Sequence, residues 1–264
     1  MKPSPDDQLT AAGPSDPAWR TIRVIGGIAA LLAALVFRRW LSAEFAMLRG
    51  IGVIRFDLNP EPSTPLQWFT LLQGNRLAGL LMLNVFDVVN YLLVGLVYLG
   101  ACSVLGNVRR VPMLLVACLT LAGIAMHLAT HQAFSLLALS KQYAAATGES
   151  QRSLILAAGQ AALNANDPLL FGGGLFWSYM FLYLAGLITA IVMVRTGLFG
   201  RWTGVMGILA SSFGLGYFVT SAFAPTLGIV PAVGSAPFHL AWYLLTGLRL
   251  LGAGRRPFVP PAVR

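Results

Sequence analysis

The sequence predicts an all-α integral membrane protein that folds as a six-helix bundle, and three observations predict it. Hydrophobic residues make up 57% of the 264 residues and charged residues only 10%, whereas a soluble domain carries about 25% charged residues. The mean hydropathy is +0.73. The apolar residues are gathered in six runs, each near the length of about 20 residues that crosses a bilayer. Soluble globular, disordered and disulfide-rich secreted proteins are therefore excluded, and the lipid bilayer is the first expected partner.

The six runs define a transmembrane domain over residues 21–252. Pro112 near the start of the third run suits the first turn of a helix, and Pro225 follows the fifth run. The Pro-rich segment 1–20 predicts a disordered tail, and residues 253–264 predict a short basic tail. The predicted spans are about 22–37, 77–105, 112–139, 172–194, 202–223 and 232–251.

Two of the connecting segments are long enough to carry structure of their own. Residues 38–75 form a long outer loop with the turn-rich stretch NPEPSTP. Residues 140–171 predict an amphipathic outer helix from Glu149 to Leu163, with Glu149 at its positive end. Its weakly apolar face of Leu154, Ala158 and Ala161 fits a helix over the outer mouth of the bundle, and it fits a solvated loop helix equally well.

The distribution of Lys and Arg predicts that both termini lie in the cytoplasm. The short connections between spans two and three and between spans four and five carry two cations each, and the connection between spans five and six carries none. Cytoplasmic loops are enriched in Lys and Arg. The pair Arg38-Arg39 opposes this orientation, because it follows the wrong end of span one.

The net charge of +9 does not indicate nucleic-acid binding. The arginines are scattered between apolar runs without a basic helix or cluster, so they are expected to flank the spans and contact lipid headgroups. Cys102 and Cys118 lie inside apolar runs without metal-ligand spacing, which predicts buried free thiols.

Asp87 is the strongest candidate for a ligand-binding residue. It lies eleven residues beyond Arg76 in the second run, which at 1.5 Å per residue places it about 16 Å deep in a continuous helix. An ionisable group at that depth costs about 2.5–3.5 kcal/mol and is kept for a reason. Asn84, Asn90 and Tyr91 accompany it, and helical spacing puts Asn84, Asp87 and Tyr91 on one face. These residues either bind a solute, proton or cation, or clamp neighbouring helices by hydrogen bonds.

The three histidines form a weaker candidate for a metal or haem site. His127 and His131 are one helical turn apart, and two histidines at that spacing can bind one metal. His239 is expected in the same half of the membrane. Leu128 stands where a metalloprotease helix would carry Glu. Histidines that bond neighbouring helices are the other interpretation, so no cofactor is expected.

Glycines mark two further places in the spans. Gly172, Gly173 and Gly174 open span four and favour either a hinge or a close approach of backbones. Gly214 and Gly216 in span five favour tight helix packing. The sequence contains no phosphate-binding loop, nucleophile elbow or kinase signature.

Three long fragments resemble a family of bacterial multi-pass membrane proteins that is catalogued as a domain of unknown function. They cover residues 68–100, 133–163 and 195–223, and the resemblance extends in order from about residue 20 to 252. The features that match are Asp87 in a long second span, Arg195 in a turn, Gly207-Ile208-Leu209 and Gly214-Leu215-Gly216-Tyr217. The resemblance implies a protein of the bacterial cytoplasmic membrane, and it implies no activity, substrate or catalytic residue.

Three functions remain open at this point. The first is a binding or transport module for a small or lipophilic solute, with Asp87, Asn84 and Asn90 at its pocket. The second is an accessory protein that assembles with other membrane proteins, in which the same residues clamp helices. The third is an intramembrane enzyme with a metal or haem on the histidines.

A different observation would favour each function. A cavity that reaches Asp87 from outside favours the first. A bundle packed solidly around Asp87, with its carboxylate bonded to a neighbouring helix, favours the second. Histidine nitrogens around a common metal favour the third.

Overall fold

The computed structural model describes residues 17–40, 62–83, 85–165, 167, 169–224 and 229–253, and this part of the chain is helical without a strand. Five of its helical stretches are long and apolar enough to cross a membrane: 18–35, 85–105, 110–145, 174–196 and 201–221. The predicted all-α, multi-pass membrane class is therefore confirmed.

We number the helices of the described residues in chain order. They are α1 (Pro17–Trp40), α2 (Pro65–Gly74), α3 (Arg76–Met82), α4 (Val85–Leu105), α5 (Arg110–Thr130), α6 (Ala133–Ala145), α7 (Glu149–Ala165), α8 (Gly174–Thr196), α9 (Arg201–Phe223) and α10 (Ile229–Ala253).

Six long helices form a closed ring in chain order. Each of α1, α4, α5, α8 and α9 packs against the next, and α10 returns to pack against α1. The ring encloses a core of apolar side chains that includes Val97, Leu105, Val116 and Met193. Large apolar residues such as Leu99 also remain exposed on the outer surface, as expected of a protein that contacts lipid.

Small residues and buried hydroxyl groups hold the ring together. A Cβ atom added to Gly26 of α1 would lie 2.8 Å from the Cα atom of Gly100 on α4, so these two backbones touch. Between α5 and α8, the hydroxyl of Ser178 donates to the carbonyl of Gly123 at 2.7 Å. Such close approaches and interhelical hydrogen bonds are the main sources of helix association in lipid.

The short helices α2, α3, α6 and α7 form a separate unit, which we call the cap. Its core contains Phe69 and Leu72 of α2, Leu136 of α6 and Ile155 of α7. The first turn of α2 is fixed by a capping box, in which Gln67 and Thr64 each bond the other's backbone. The cap is therefore built on its own apolar core beside the ring.

The cap interrupts two predicted spans, so the prediction that 77–105 and 112–139 are continuous helices is wrong. The first is divided into α3 and α4 around Leu83, and the second is divided into α5 and α6 at His131 and Gln132. The physical reason is that each run serves two cores. Leu83 is buried in the cap and Tyr91 in the ring, and one straight helix does not reach both.

The outer helix is α7, which begins at the predicted Glu149 and extends to Ala165. Its predicted apolar face of Leu154, Ala158 and Ala161 is wrong, because Leu154 is 71% exposed. The buried face is Ile155, Gly159 and Ala162, which packs on α2 and α6. A Cβ atom added to Gly159 would lie 2.7 Å from the ring of Phe69, so the glycine decides which face turns inward.

The other predicted boundaries agree with the helices to within a few residues, apart from the N-terminal tail. Residues 17–20 were predicted in that tail, but they form the first turn of α1. Pro17 occupies the first helical position, where its missing N–H has no cost. The last predicted span, 232–251, coincides with α10, which contains Pro237. The predicted tail segments 1–16 and 254–264 and most of the long outer loop, residues 41–61, lie outside the described residues.

Candidate functional site

The candidate site lies at the end of the ring that adjoins the cap. Because the chain enters or leaves the cap there, this end contains the start of α4, the end of α5 and the start of α8. Asp87 is in the first turn of α4, and His127 is in the last turn of α5. The interruption of the second run thus corrects the predicted depth of Asp87, because its helix begins at Val85 rather than near Arg76.

Asp87 is half-buried and bonded to another helix. The hydroxyl of Tyr179 on α8 donates to Oδ2 of Asp87 at 3.4 Å. This distance is longer than the range of about 2.5–3.0 Å typical of O–H···O hydrogen bonds, so the bond is a weak one. This bond joins α4 to α8, as does the bond that the hydroxyl of Tyr98 donates to the carbonyl of Leu182 at 3.1 Å.

His127 is the most deeply buried of the predicted site residues, with 1% of its surface exposed. Its ring stacks on the ring of Tyr91, with centroids 3.8 Å apart and planes 10° apart. Neither Nδ1 nor Nε2 of His127 has a hydrogen-bond partner among the described residues. Leaving a buried polar group without a partner costs about 1–3 kcal/mol.

Tyr179 brings these residues into one group. Its aromatic ring lies nearly perpendicular to that of Tyr91, with centroids 5.5 Å apart, and to that of His127, with centroids 6.3 Å apart. We call Asp87, Tyr91, His127 and Tyr179 the acid–aromatic cluster. It combines a carboxylate, two phenols and an imidazole from three different helices.

A row of aromatic side chains leads from the acid–aromatic cluster, through the interior of the six-helix ring, to His239. Tyr183 lies between them, with its centroid 6.5 Å from Tyr179 and 5.5 Å from His239. Gly214 of α9 leaves the space in which the ring of Tyr183 packs. Nδ1 of His239 lies 2.9 Å from the hydroxyl oxygen of Ser235, so His239 is bonded within its own helix.

The predicted set of three histidines is not brought together. His131 is the C-cap of α5 and has an extended backbone, so the one-turn spacing to His127 is not realised on a helix face. Their ring centroids are 5.4 Å apart, and His239 lies beyond Tyr179 and Tyr183. In the described part of the chain, no group of three His, Cys, Asp or Glu side chains could hold a metal ion.

The two predicted asparagines have different outcomes. Asn84 lies outside the described residues. Asn90 lies three residues beyond Asp87 on α4, is half-buried, and its Oδ1 atom is buried without a hydrogen-bond partner. Other buried groups without a partner in the described residues, Thr120, Trp242 and Thr246, are spread over α5 and α10. The cluster is where such atoms coincide with a carboxylate.

Tyr179 and Tyr183 were not among the predicted site residues; they occupy one face of α8 in the fragment LFWSYMFLYLAG. The signal was present, because two tyrosines four residues apart share a helix face. In an apolar run their hydroxyl groups need partners just as a carboxylate does.

Comparisons of the chain with protein-family models, curated proteins and solved structures found no match.

Proposed function

We propose that the protein binds a small or lipophilic solute at the acid–aromatic cluster, in the cap-side half of a six-helix membrane bundle, as a binding or transport module. The observation that carries the proposal is the pair of His127 nitrogen atoms without a hydrogen-bond partner among the described residues. His127 is 1% exposed and contacts Tyr179, which donates to the carboxylate of Asp87. A solute that bonds to His127 would remove the cost of burying these atoms.

The interrupted helices support the same proposal. In many transporters the solute lies where spanning helices are broken, because helix ends and freed backbone groups can contact it there. Here α3 and α4 are separated at Leu83, and α5 and α6 at His131. Asp87 and His127 stand one turn from these two breaks. Ionisable residues within the membrane are by default candidates for such a site.

We also propose six membrane spans and an orientation of the ring relative to the two sides of the membrane. α10 is taken as the sixth span, because it is 25 residues long and closes the ring between α9 and α1. Exposed arginines, among them Arg109, Arg110 and Arg195, lie at the end of the ring away from the cap. The positive-inside rule then places this end and both termini in the cytoplasm and the cap outside. The resemblance to bacterial proteins makes the bacterial cytoplasmic membrane the proposed location.

A specific observation favours a second function. The hydrogen bond from Tyr179 to Asp87 is what a clamp between helices requires. Under this alternative the cluster stabilises the bundle, and the protein serves as an accessory to other membrane proteins.

Chemical access to the cluster distinguishes the two functions. We would replace Cys102 and Cys118 by Ser, introduce Asn90→Cys, and treat intact cells and inside-out vesicles with a membrane-impermeant methanethiosulfonate. Thr120→Cys is the matched control, because Thr120 is buried in α5 away from the cap. For a binding site we expect rapid modification of the Asn90→Cys variant from one side, with the control unreactive. A variant that folds but does not react from either side would contradict the binding function and favour the clamp.

A further inference from the structure

We infer that the solute is an amphipathic amine, bound as its ammonium ion at the acid–aromatic cluster. This inference rests on the proposed binding function and names the chemical class of the ligand. It follows from the hydrogen-bonding character of the cluster, the aromatic rings around it, the placement of basic residues and the position of Asp87 near the lipid-facing surface.

The cluster and the adjoining Asn90 offer three hydrogen-bond acceptors, beside the donating N–H groups of a neutral His127 and of the Asn90 amide. An ionised carboxylate only accepts, a neutral imidazole offers one acceptor nitrogen, and an amide oxygen accepts. Asp87 supplies the first, His127 the second and Oδ1 of Asn90 the third, and the latter two have no partner among the described residues. An ammonium group carries up to three N–H donors, so it matches this set better than a neutral or anionic solute.

Aromatic rings surround Tyr179, whose hydroxyl donates to the carboxylate of Asp87. Tyr179 packs against Tyr91 of α4 and against Phe218 of α9, with the centroids of Tyr179 and Phe218 5.2 Å apart. Tyr183 continues the same face of α8. The faces of such rings attract cations, and aromatic cages are a common means of binding organic ammonium groups.

The described arginines of the ring lie away from the cluster, whereas Arg76, Lys141 and Arg152 belong to the cap. Among the arginines of the spanning helices whose side chains the structure describes, all lie toward the end away from the cap: Arg20, Arg23, Arg109, Arg110, Arg195, Arg201 and Arg249. Buried Arg23 bonds the backbone of its own helix at Trp19. An anionic solute at the cluster would therefore lack a guanidinium partner from these helices, whereas a cation would meet Asp87.

Asp87 also lies close to the lipid-facing surface. Phe86 precedes it and Val89 follows two residues later, and both are exposed on α4. A ligand whose charged group meets Asp87 can keep an apolar part against these side chains and the acyl chains. This argues for an amphipathic amine rather than a small hydrophilic one.

The test compares four molecules that share one apolar part. They are 4-phenylbutylamine, its N,N,N-trimethyl derivative, 4-phenylbutanol and 4-phenylbutyrate, each titrated into the full-length protein in lipid nanodiscs at pH 7. We expect saturable binding of the primary amine, about tenfold weaker binding of the trimethyl cation because it has no N–H donor, and no saturable binding of the alcohol or the acid. Equal binding of the alcohol, or stronger binding of the acid, would overturn the inference.

Variants then assign the binding to the cluster. Asp87→Asn should weaken the binding of the amine at least tenfold, and Tyr179→Phe less. Asp167→Asn makes the same chemical change at an exposed position and should leave binding unchanged. If Asp87→Asn does not fold, the ligand series on the unaltered protein still decides the question. A reactive Asn90→Cys variant combined with no preference for amines would reject the ligand class and leave the binding site standing. An unreactive one would reject the site itself.

Discussion

The rings of Tyr91 and His127 lie face to face, with centroids 3.8 Å apart, and they join α4 to α5. The two buried nitrogen atoms of His127 have no hydrogen-bond partner in the described part of the chain. The stacking explains how His127 is held, because the ring contact does not depend on its nitrogens. The Nδ1 and Nε2 atoms of His127 therefore remain able to bond a group other than the described side chains.

His127→Phe should stabilise the ligand-free protein. Phenylalanine keeps a planar ring against Tyr91 and removes two buried polar atoms that have no partner, each of which costs about 1–3 kcal/mol. We expect a higher midpoint of thermal unfolding in detergent. His239→Phe is the control, because His239 bonds Ser235 and its loss should lower the midpoint. A large destabilisation by His127→Phe would mean that His127 has a partner in the folded state.

Tyr179→Phe and Asp87→Asn should be energetically coupled. Tyr179→Phe removes the hydroxyl donor of the bond between α8 and α4, and Asp87→Asn removes the charge of its acceptor, so the double variant should lose less stability than the sum of the single variants. Interhelical hydrogen bonds in membranes contribute about 0.6 kcal/mol on average and up to about 1.7 kcal/mol. A double-mutant cycle of unfolding free energies measures the coupling. Strict additivity would show that the bond does not contribute to stability.

Gly26→Ala should destabilise the ring at the contact between α1 and α4. The added methyl group would lie 2.8 Å from the Cα atom of Gly100, and a backbone atom does not move aside as a flexible side chain does. Overpacking of this kind costs about 1–3 kcal/mol. Gly252→Ala on α10 is the matched control, since nothing lies within 4 Å of its added Cβ atom, and it should be neutral or slightly stabilising. Equal unfolding midpoints for the two variants would contradict the contact.

Phe69→Ala should loosen the cap and leave the ring protected. Phe69 is fully buried in the core of the cap, and removing a buried phenylalanine costs about 3–5 kcal/mol. We expect faster hydrogen exchange in α2, α6 and α7, measured by mass spectrometry, with little change in α8 and α9. Faster exchange throughout the protein would show that the cap and the ring unfold as one unit.

The sequence alone predicted the elements that depend on composition and length. Long apolar runs specify spanning helices, since a helix in lipid must satisfy its own backbone groups. The end of α8 and the start of α9 lie close to the predicted positions. Gly197 and Gly200, both with positive φ, bound the tight turn between these two helices.

The features that could not be predicted depend on which other helices each segment packs against. The helix breaks at Leu83 and His131 lie within continuous apolar sequence. Such sequence does not indicate which residues pack in the core of the cap and which pack in the core of the ring. The inward face of α7 was decided by the space that Gly159 leaves for Phe69, which only the packing reveals. Asp87, Tyr91 and His127 were recognised as unusual because polar groups are rare in such runs, whereas their convergence on Tyr179 is a tertiary feature.

The closed order of the helices has a consequence for how the protein is made. A ribosome releases α1 first and α10 last, yet these two must lie side by side, with Gly27 of α1 against Gly247 and Leu251 of α10. During synthesis, the side of α1 that packs against α10 therefore has no partner until the other helices of the ring have been made. Because α10 closes the ring, a ribosome stalled before residue 229 would leave a nascent chain whose helices α9 and α1 each lack a neighbour. Such a chain would be exposed to quality-control proteases.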